Sequence, residues 1–121
     1  MLNKKHRYLV VDTRESGAST AAAVVGYVRQ RILAESGEFG LGIADPQVRF
    51  FDRSANLALV RVARSASASF VRATRLPVLA THGSVRTARP RAARLLRDRH
   101  HPGDDDDALQ AQLALLQRAQ N

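Results

Sequence analysis

Residues 48–62 have the pattern of a β-hairpin: Val48-Arg49-Phe50-Phe51-Asp52-Arg53-Ser54-Ala55-Asn56-Leu57-Ala58-Leu59-Val60-Arg61-Val62. The two ends of this stretch, residues 48–51 and 57–62, are rich in the β-branched, aromatic and aliphatic residues that favour strands. The five residues between them are of turn type and have the length of a hairpin loop. The stretch therefore predicts two neighbouring antiparallel strands. Alternation along the second strand places Arg61 on the face opposite to Val60 and Val62.

The residues that precede this hairpin predict one strand and one helix. Residues 7–12 form a short β-rich run, long enough for a buried strand. Residues 21–34 then carry aliphatic side chains at helical spacing, with Ser19 or Thr20 as the capping residue. The glycine-rich segment 36–42 is expected to end this helix.

The residues that follow the hairpin predict a second set of elements. Residues 67–73 indicate one or two helical turns, and residues 76–81 indicate a last strand. Pro77 places that strand at an edge of the sheet or at its own beginning. Thr87 is a candidate cap for a final helix from Ala88, with a proline in its first turn.

This order of elements, β-α-β-β-α-β-α, predicts an α+β fold, ferredoxin-like or similar to an RNA-recognition motif. Such a fold has an antiparallel sheet with helices on one face, and its other face can stay open. We expect residues 1–103 to form this domain. Residues 104–121 are expected to form an acidic hinge and a separate C-terminal tail helix, whose leucines repeat at helical spacing: Leu109, Leu113 and Leu116.

The charge of the chain is strongly positive and unevenly distributed. The 121 residues carry 19 Lys and Arg against 11 Asp and Glu, which gives a net charge of +8. Between Arg49 and Arg97, eleven arginines accompany a single acidic residue, Asp52, so this stretch alone has a net charge of +10. A field of that sign and density suits a phosphate backbone. A GC-rich coding sequence would explain arginine in place of lysine, but not the lack of acidic residues.

The composition also excludes several classes of site. The chain has no cysteine, which excludes disulfides, thiolate zinc sites and cysteine nucleophiles. The histidines lack the spaced carboxylates of a metal site, and no nucleophile elbow or phosphate-binding glycine loop occurs. We therefore expect no catalysis by this chain alone, no metal site and no cofactor bound by the protein itself. Without a membrane-length apolar run or a signal-peptide core, an intracellular soluble protein with no membrane partner is expected.

Aromatic residues are too few for base stacking to dominate RNA binding. RNA-recognition motifs stack bases on aromatic side chains of the central strands. Here Phe50 and Phe51 are adjacent on one strand, so only one of them can face outward. We expect Phe50 in the core, and Phe51 or Arg61 as the exposed side chain. Arginine contacts to phosphates would then supply most of any affinity.

Four segments in a fixed order resemble a known family. They are Lys5-His6-Arg7-Tyr8-Leu9, Gly37-Glu38-Phe39-Gly40, Ala58-Leu59-Val60-Arg61-Val62-Ala63-Arg64, and Gly83-Ser84-Val85-Arg86-Thr87 before a basic helix. Together they resemble the processing-of-precursor-five family, the small conserved protein subunit of ribonuclease P and ribonuclease MRP. The resemblance covers residues 4–97. The interval before the last segment is shorter than in that family, and the fourteen-kilodalton sister subunit is a related alternative.

This resemblance implies a non-catalytic subunit of a ribonucleoprotein. In such particles the RNA, with Mg²⁺, removes the 5′ leader of precursor tRNA, and MRP particles process ribosomal RNA precursors. The implied partners are ribonuclease P or MRP RNA, precursor tRNA and other protein subunits, notably the thirty-kilodalton barrel-like one. The implied location is the nucleus or nucleolus for a eukaryotic chain and the cytoplasm for an archaeal chain. The N-terminal segment resembles the eukaryotic members of the family more than the archaeal ones.

The predicted RNA contacts fall into four groups. The last helix supplies arginines on the side away from its apolar arc, and the second hairpin strand supplies two more on or beside the exposed sheet face. An N-terminal arm supplies basic residues, and a glycine-containing turn lets the backbone approach RNA. The full set is Lys4, Lys5, Arg7, Arg61, Arg64, Gly83, Ser84, Arg86, Arg89, Arg91, Arg94 and Arg97.

Two other functions fit the same sequence. The first is a protein-interaction subunit of an RNA-processing complex with little direct RNA contact, in which the leucine-bearing tail is the docking helix. The second is a basic RNA-binding accessory protein unrelated to ribonuclease P, which would show no preference for one RNA.

Overall fold

The described residues, 5–101, 103 and 105–120 of the computed structural model, form four β-strands and four α-helices. In chain order they are β1 His6–Asp12, α1 Ala21–Ala44, β2 Gln47–Asp52, β3 Leu57–Ala63, α2 Ser67–Thr74, β4 Val78–His82, α3 Val85–Asp98 and α4 Asp106–Gln117. The predicted order of elements is confirmed, including the short helix between β3 and β4.

The four strands form one antiparallel sheet in the order β2-β3-β1-β4. This is the strand order of a ferredoxin-like sheet, in which β1 and β3 lie at the centre. The strand β4 lies at an edge and begins directly after Pro77, because a proline has no N–H for a second neighbouring strand. The predicted α+β class and the edge position of this strand are confirmed.

One face of the sheet is covered by α1 and α2. Alternate residues of the central strands, such as Leu9 and Val60, point into a buried cluster with the aliphatic side of α1. Phe70 of α2 is fully buried in the same cluster. This layer is the helical face that the sequence predicts.

The opposite face is covered as well, by α3 and α4. Tyr8 and Leu59, which alternate with Leu9 and Val60, lie in a second buried cluster that includes Leu96 of α3. The sheet therefore does not leave this face open, because the two C-terminal helices cover it.

The helix α4 is part of this second layer and not a separate tail. Leu113 and Leu116 are buried in the same cluster as Tyr8 and Leu59 of the sheet. The side-chain amide of Gln112 donates to Asp52 Oδ1 at 2.8 Å and to the carbonyl oxygen of Phe51 at 3.2 Å. The predicted C-terminal helix is present, but it packs on this chain, because the leucines that repeat along it lie in the second buried cluster.

The glycine segment predicted to end the first helix does interrupt it, because Gly37 has non-helical backbone with φ at +70°. A second helical segment, which the sequence does not predict, then follows and completes α1 to Ala44. Glycine adopts this left-handed conformation at little cost, so the chain changes direction there and then becomes helical again. The helix α3 begins at Val85, three residues early, because Ser84 and not Thr87 is its capping residue: Ser84 Oγ accepts the N–H of Thr87 at 3.2 Å.

A β-bulge at Arg49 decides where the two phenylalanines point. The register of β2 on β3 shifts between Val48 and Phe50, so the alternation of faces is interrupted there. Phe50 is buried in the α3–α4 cluster, as predicted for a core residue, whereas Phe51 packs against the α1–α2 cluster. The expectation of a phenylalanine on an open face is wrong, because both faces are covered.

Candidate nucleic-acid interface

A basic cavity lies at one end of the sheet, where β1 begins, β3 ends and α3 begins. Its volume is about 350 Å³. The lining residues are Lys5, His6, Arg7, Tyr8, Arg61, Gly83 and Ser84. Five of these belong to the predicted RNA contacts, and the structure brings them together although they come from three separate segments of the chain. We call this feature the basic cavity.

The position of Arg61 in the basic cavity follows from strand register. Arg61 lies opposite Tyr8 on β1 and Gln47 on β2, on the face that α3 and α4 cover. The arginine is on the face opposite to Val60 and Val62, as predicted, but only 15% of its side chain is exposed. The covering of this face by helices explains why it is not the solvent-facing residue that the sequence suggests.

The charge of Arg61 is only loosely compensated. Its Nη2 lies 3.9 Å from Oδ2 of Asp45, whose side chain is 44% exposed. Its Nε is buried and has no hydrogen-bond partner within the described part of the chain. The sequence gives no sign of this contact, because Asp45 follows α1 and meets Arg61 only through the pairing of β2 with β3.

Hydrogen bonds at the start of β1 and just before it position two other basic residues of this end, Arg64 and Arg7. The N–H of Arg64 donates to the carbonyl oxygen of Lys5 at 2.9 Å, which places the exposed Arg64 beside the cavity. Arg7 Nη1 donates to the carbonyl oxygen of His6 at 3.2 Å. Lys4, also a predicted contact, lies outside the described residues.

The turn at Gly83 lies close to the Arg7 side chain. A Cβ atom at Gly83 would lie 3.8 Å from Arg7 Nη1, an ordinary contact distance, and the φ of this glycine is not in the left-handed region. The backbone conformation therefore does not require glycine here. What the missing side chain does is leave the wall of the cavity open beside the Arg7 guanidinium.

The outer surface of α3 continues the basic character away from the cavity. At 100° per residue, Arg86, Arg94 and Arg97 fall on one stripe of the helix about 16 Å long, and Arg91 lies beside it. All four side chains are exposed. The helix contains no acidic residue before Asp98 at its last position. We call these four residues the α3 stripe.

Arg89 differs from the other arginines of α3 because its side chain is hydrogen-bonded within the chain. Its Nε donates to the carbonyl oxygen of Ala119 at 3.0 Å, and its Nη2 donates to the same oxygen. This oxygen follows the last turn of α4. The predicted phosphate contact at Arg89 is thus already committed to joining α3 to the end of α4, which a helical wheel of α3 alone does not reveal.

Base stacking on the sheet is blocked in this structure. The aromatic residues that face α3 and α4, Tyr8 and Phe50, are 3% and 8% exposed. Recognition by stacked bases on the central strands, as in RNA-recognition motifs, requires an accessible sheet face. The basic cavity and the α3 stripe therefore present cationic groups rather than stacked aromatic rings.

No metal site is evident in the described part of the chain. Among these residues, no group of three or more histidine, aspartate or glutamate side chains is placed to hold a metal ion. None of the described helices is both long enough and apolar enough to cross a membrane.

Comparison with known proteins finds no protein-family model and no curated protein that matches this chain.

Proposed function

We propose that this chain is a non-catalytic RNA-binding protein that contacts phosphates through the basic cavity and the α3 stripe. The observation that carries the proposal is the run of cationic side chains from Lys5 and Arg7 to Arg97, which meets no acidic residue on α3 before its last position. A surface of this kind neutralises several phosphates at once and releases their counterions.

The covered sheet determines which kind of RNA recognition this surface suits. Phosphate contacts fix position but carry no sequence information, whereas base contacts specify sequence. With Tyr8 and Phe50 buried beneath helices, affinity would come mainly from charge and from the shape of the RNA. Binding should therefore depend strongly on salt and only weakly on base sequence.

The first test neutralises the α3 stripe. The triple variant Arg86→Gln, Arg94→Gln, Arg97→Gln removes three exposed charges without touching the buried side of α3. The slope of log K against log salt is negative, and each lost phosphate contact makes it less steep. We therefore expect the magnitude of the slope to decrease by about 2 to 3. The measurement is RNA affinity between 50 and 200 mM salt, conditions over which phosphate-dominated binding changes strongly.

A matched control removes the same charge from the other side of the molecule. Arg29, Arg72 and Arg75 are exposed on α1 or at α2. Their replacement by glutamine should change the salt dependence of RNA affinity less than the α3 triple variant does. Equal losses in the two triple variants would mean that net charge alone drives binding, and would contradict an interface on α3.

We further propose that the particle is ribonuclease P, or the related MRP particle, in which this chain supports the catalytic RNA. The support for this step is the sequence resemblance to the processing-of-precursor-five family together with an RNA-recognition-motif-like strand order. The chemistry would belong to the partner RNA and its Mg²⁺, and the thirty-kilodalton barrel-like subunit would be a protein partner. The location would be the nucleus or nucleolus in a eukaryote and the cytoplasm in an archaeon.

Native purification tests the particle. The tagged protein is isolated from its own cells, the accompanying RNA is sequenced, and the eluate is assayed for removal of the precursor-tRNA leader. One enriched structured RNA with Mg²⁺-dependent cleavage, abolished by nuclease, would support ribonuclease P, whereas MRP RNA with cleavage of ribosomal RNA precursors would support the sister particle. A broad mixture of RNAs would favour an unrelated basic accessory protein.

A scaffold subunit remains the second candidate, and one observation favours it. Phe39, in the part of α1 after Gly37, is 82% exposed, and Leu33 and Ile43 of the same helix are 42% and 43% exposed. The docking role that the sequence suggests for the tail does not suit this structure, because Leu113 and Leu116 are buried in the chain's own core. Phe39→Ser would separate the functions: a scaffold would lose protein partners and retain its RNA affinity.

A further inference from the structure

We propose that the basic cavity binds the terminal phosphate of an RNA strand, a phosphomonoester. This inference rests on the proposed RNA-binding function and adds the chemical group that the cavity takes. It divides the interface into two parts: the α3 stripe would contact phosphates along the strand, and the cavity would hold the end of the strand.

The first argument is the imbalance of charge in the cavity wall. Lys5, Arg7 and Arg61 line one space of about 350 Å³. The carboxylate in contact with this group is Asp45, at 3.9 Å from Arg61 and 44% exposed. Among the described residues, three cationic side chains lie near one loosely placed carboxylate, which leaves an excess of about two positive charges. A phosphomonoester carries about −1.5 to −2 at pH 7, which balances that excess better than the single charge of a backbone phosphodiester.

The second argument is shape. The cavity is concave and lies at the lower end of the volumes typical of small-ligand sites, about 300 to 1,000 Å³. The cavity is a shallow recess open to solvent, and its volume accommodates a single phosphate with its sugar. The exposed α3 stripe, in contrast, is a convex helix surface along which a strand can pass.

The third argument is the backbone at the entrance of α3. Ser84 caps this 14-residue helix, and Gly83 and Ser84 both line the cavity. The positive end of the helix dipole adds to the field of the three side chains. Because Gly83 has no side chain, the position that a Cβ would occupy, 3.8 Å from Arg7 Nη1, is left open.

The test compares RNA oligonucleotides of one sequence that differ only at their ends. One carries a 5′-phosphate, one a 3′-phosphate and one hydroxyl groups at both ends, and the affinity of the full chain for each is measured at fixed salt. We expect at least tenfold tighter binding of one phosphate-ended strand than of the hydroxyl-ended strand. A preference for the 5′- or the 3′-phosphate identifies which end the cavity takes.

Variants then assign the preference to the cavity. In Lys5→Gln with Arg7→Gln the ratio of the two affinities should fall to near one, while hydroxyl-ended RNA still binds. Lys5→Gln alone, at an exposed position, serves if the double variant is unstable, and it should reduce the ratio in part. The matched control Arg91→Gln with Arg94→Gln should weaken binding of both strands and leave the ratio unchanged.

The outcomes separate this inference from the function on which it rests. Equal binding of all three strands by the wild type, with loss of binding in the α3 variants, would overturn the terminal-phosphate site and leave the RNA-binding proposal intact. A preference for phosphate ends that survives the Lys5 and Arg7 changes would also overturn it. No binding of any strand would overturn both proposals.

Discussion

The helices α1 and α3 cover opposite faces of one sheet and are alike on the side that touches it. Each begins with a hydroxyl cap, Thr20 in α1 and Ser84 in α3, and each buries a row of apolar side chains. Their outer surfaces differ. The exposed side of α1 mixes basic and acidic residues, such as Arg29 and Glu35, whereas that of α3 carries arginine without a carboxylate until Asp98.

This difference shows what packing requires and what it leaves free. Both helices pack on the sheet through their apolar sides, so the fold is compatible with a mixed outer surface and does not demand an arginine-rich one. Self-repulsion among the arginines of α3 costs some stability. Folding therefore does not account for the charge of α3, and this is one support of the proposed function.

The largest expected effect tests whether the second layer is as much a part of the core as the first. Leu116→Ala in α4 and Ile32→Ala in α1 each truncate a side chain that is at most 1% exposed. Each should lower the free energy of unfolding by about 2 to 5 kcal/mol, as measured by urea denaturation. Leu115, the neighbour on α4, is 51% exposed, and Leu115→Ala should change it by less than about 0.5 kcal/mol. Similar small values for Leu116→Ala and Leu115→Ala would mean that α4 is a tail after all.

The next prediction separates two arginines of α3 that the sequence treats alike. Arg89 joins α3 to the carbonyl oxygen of Ala119, whereas Arg91 is exposed. Arg89→Gln should lower the free energy of unfolding by about 1.5 kcal/mol, because a charged donor to a carbonyl is lost. Arg91→Gln should leave stability unchanged and weaken RNA binding. The reverse pattern, a stable Arg89→Gln protein with weakened RNA binding, would return Arg89 to the interface.

A smaller effect is expected at the two helix caps. Thr20 Oγ1 accepts the N–H of Ala23 at 3.1 Å, and Ser84 Oγ accepts that of Thr87 at 3.2 Å. Thr20→Ala and Ser84→Ala should each cost about 1 kcal/mol, seen as similar shifts of the denaturation midpoint. If Ser84→Ala were silent and Thr87→Ala were not, the start of α3 would lie where the sequence alone suggests, at Ala88.

The smallest effect concerns Gly83. Its φ does not require glycine, and a Cβ would meet Arg7 Nη1 at an ordinary contact distance of 3.8 Å. Gly83→Ala should therefore stabilise the protein by about 0.5 kcal/mol, because alanine lowers the conformational entropy of the unfolded chain. Thermal unfolding measures this change. A clear loss of stability would mean that the turn needs glycine for folding, and would remove the argument that the missing side chain serves a ligand.

The sequence predicted most of the fold because most elements are local. The hairpin around residues 52–56, the edge strand after Pro77 and the short helix near Phe70 each follow from composition and periodicity within a few residues. The bulge at Arg49 did not follow, since alternation along β2 gives no sign that the register shifts. That one residue decides which layer receives Phe50.

The residues of the candidate site were chosen one by one from the sequence, which did not predict their arrangement. Lys5, Arg7 and Arg61 were identified by charge, and the structure places them around one cavity. Arg89 carried the same signal, and nothing in the sequence indicated that its guanidinium donates to the carbonyl oxygen of Ala119, thirty residues away in the chain. Asp45 carried no signal, although its Oδ2 lies 3.9 Å from Arg61 Nη2.

By itself the sequence determined the α+β class, the excess of arginine between residues 49 and 97, and the exclusion of cysteine chemistry. These are properties of single segments, and periodicity and composition record them directly. Only the tertiary structure decided that the second sheet face is covered, that α4 belongs to the core, and that three distant cations share a cavity. Those properties depend on which segment packs against which, and apolar burial is non-directional: a leucine stripe shows that α4 must be covered, but not by what.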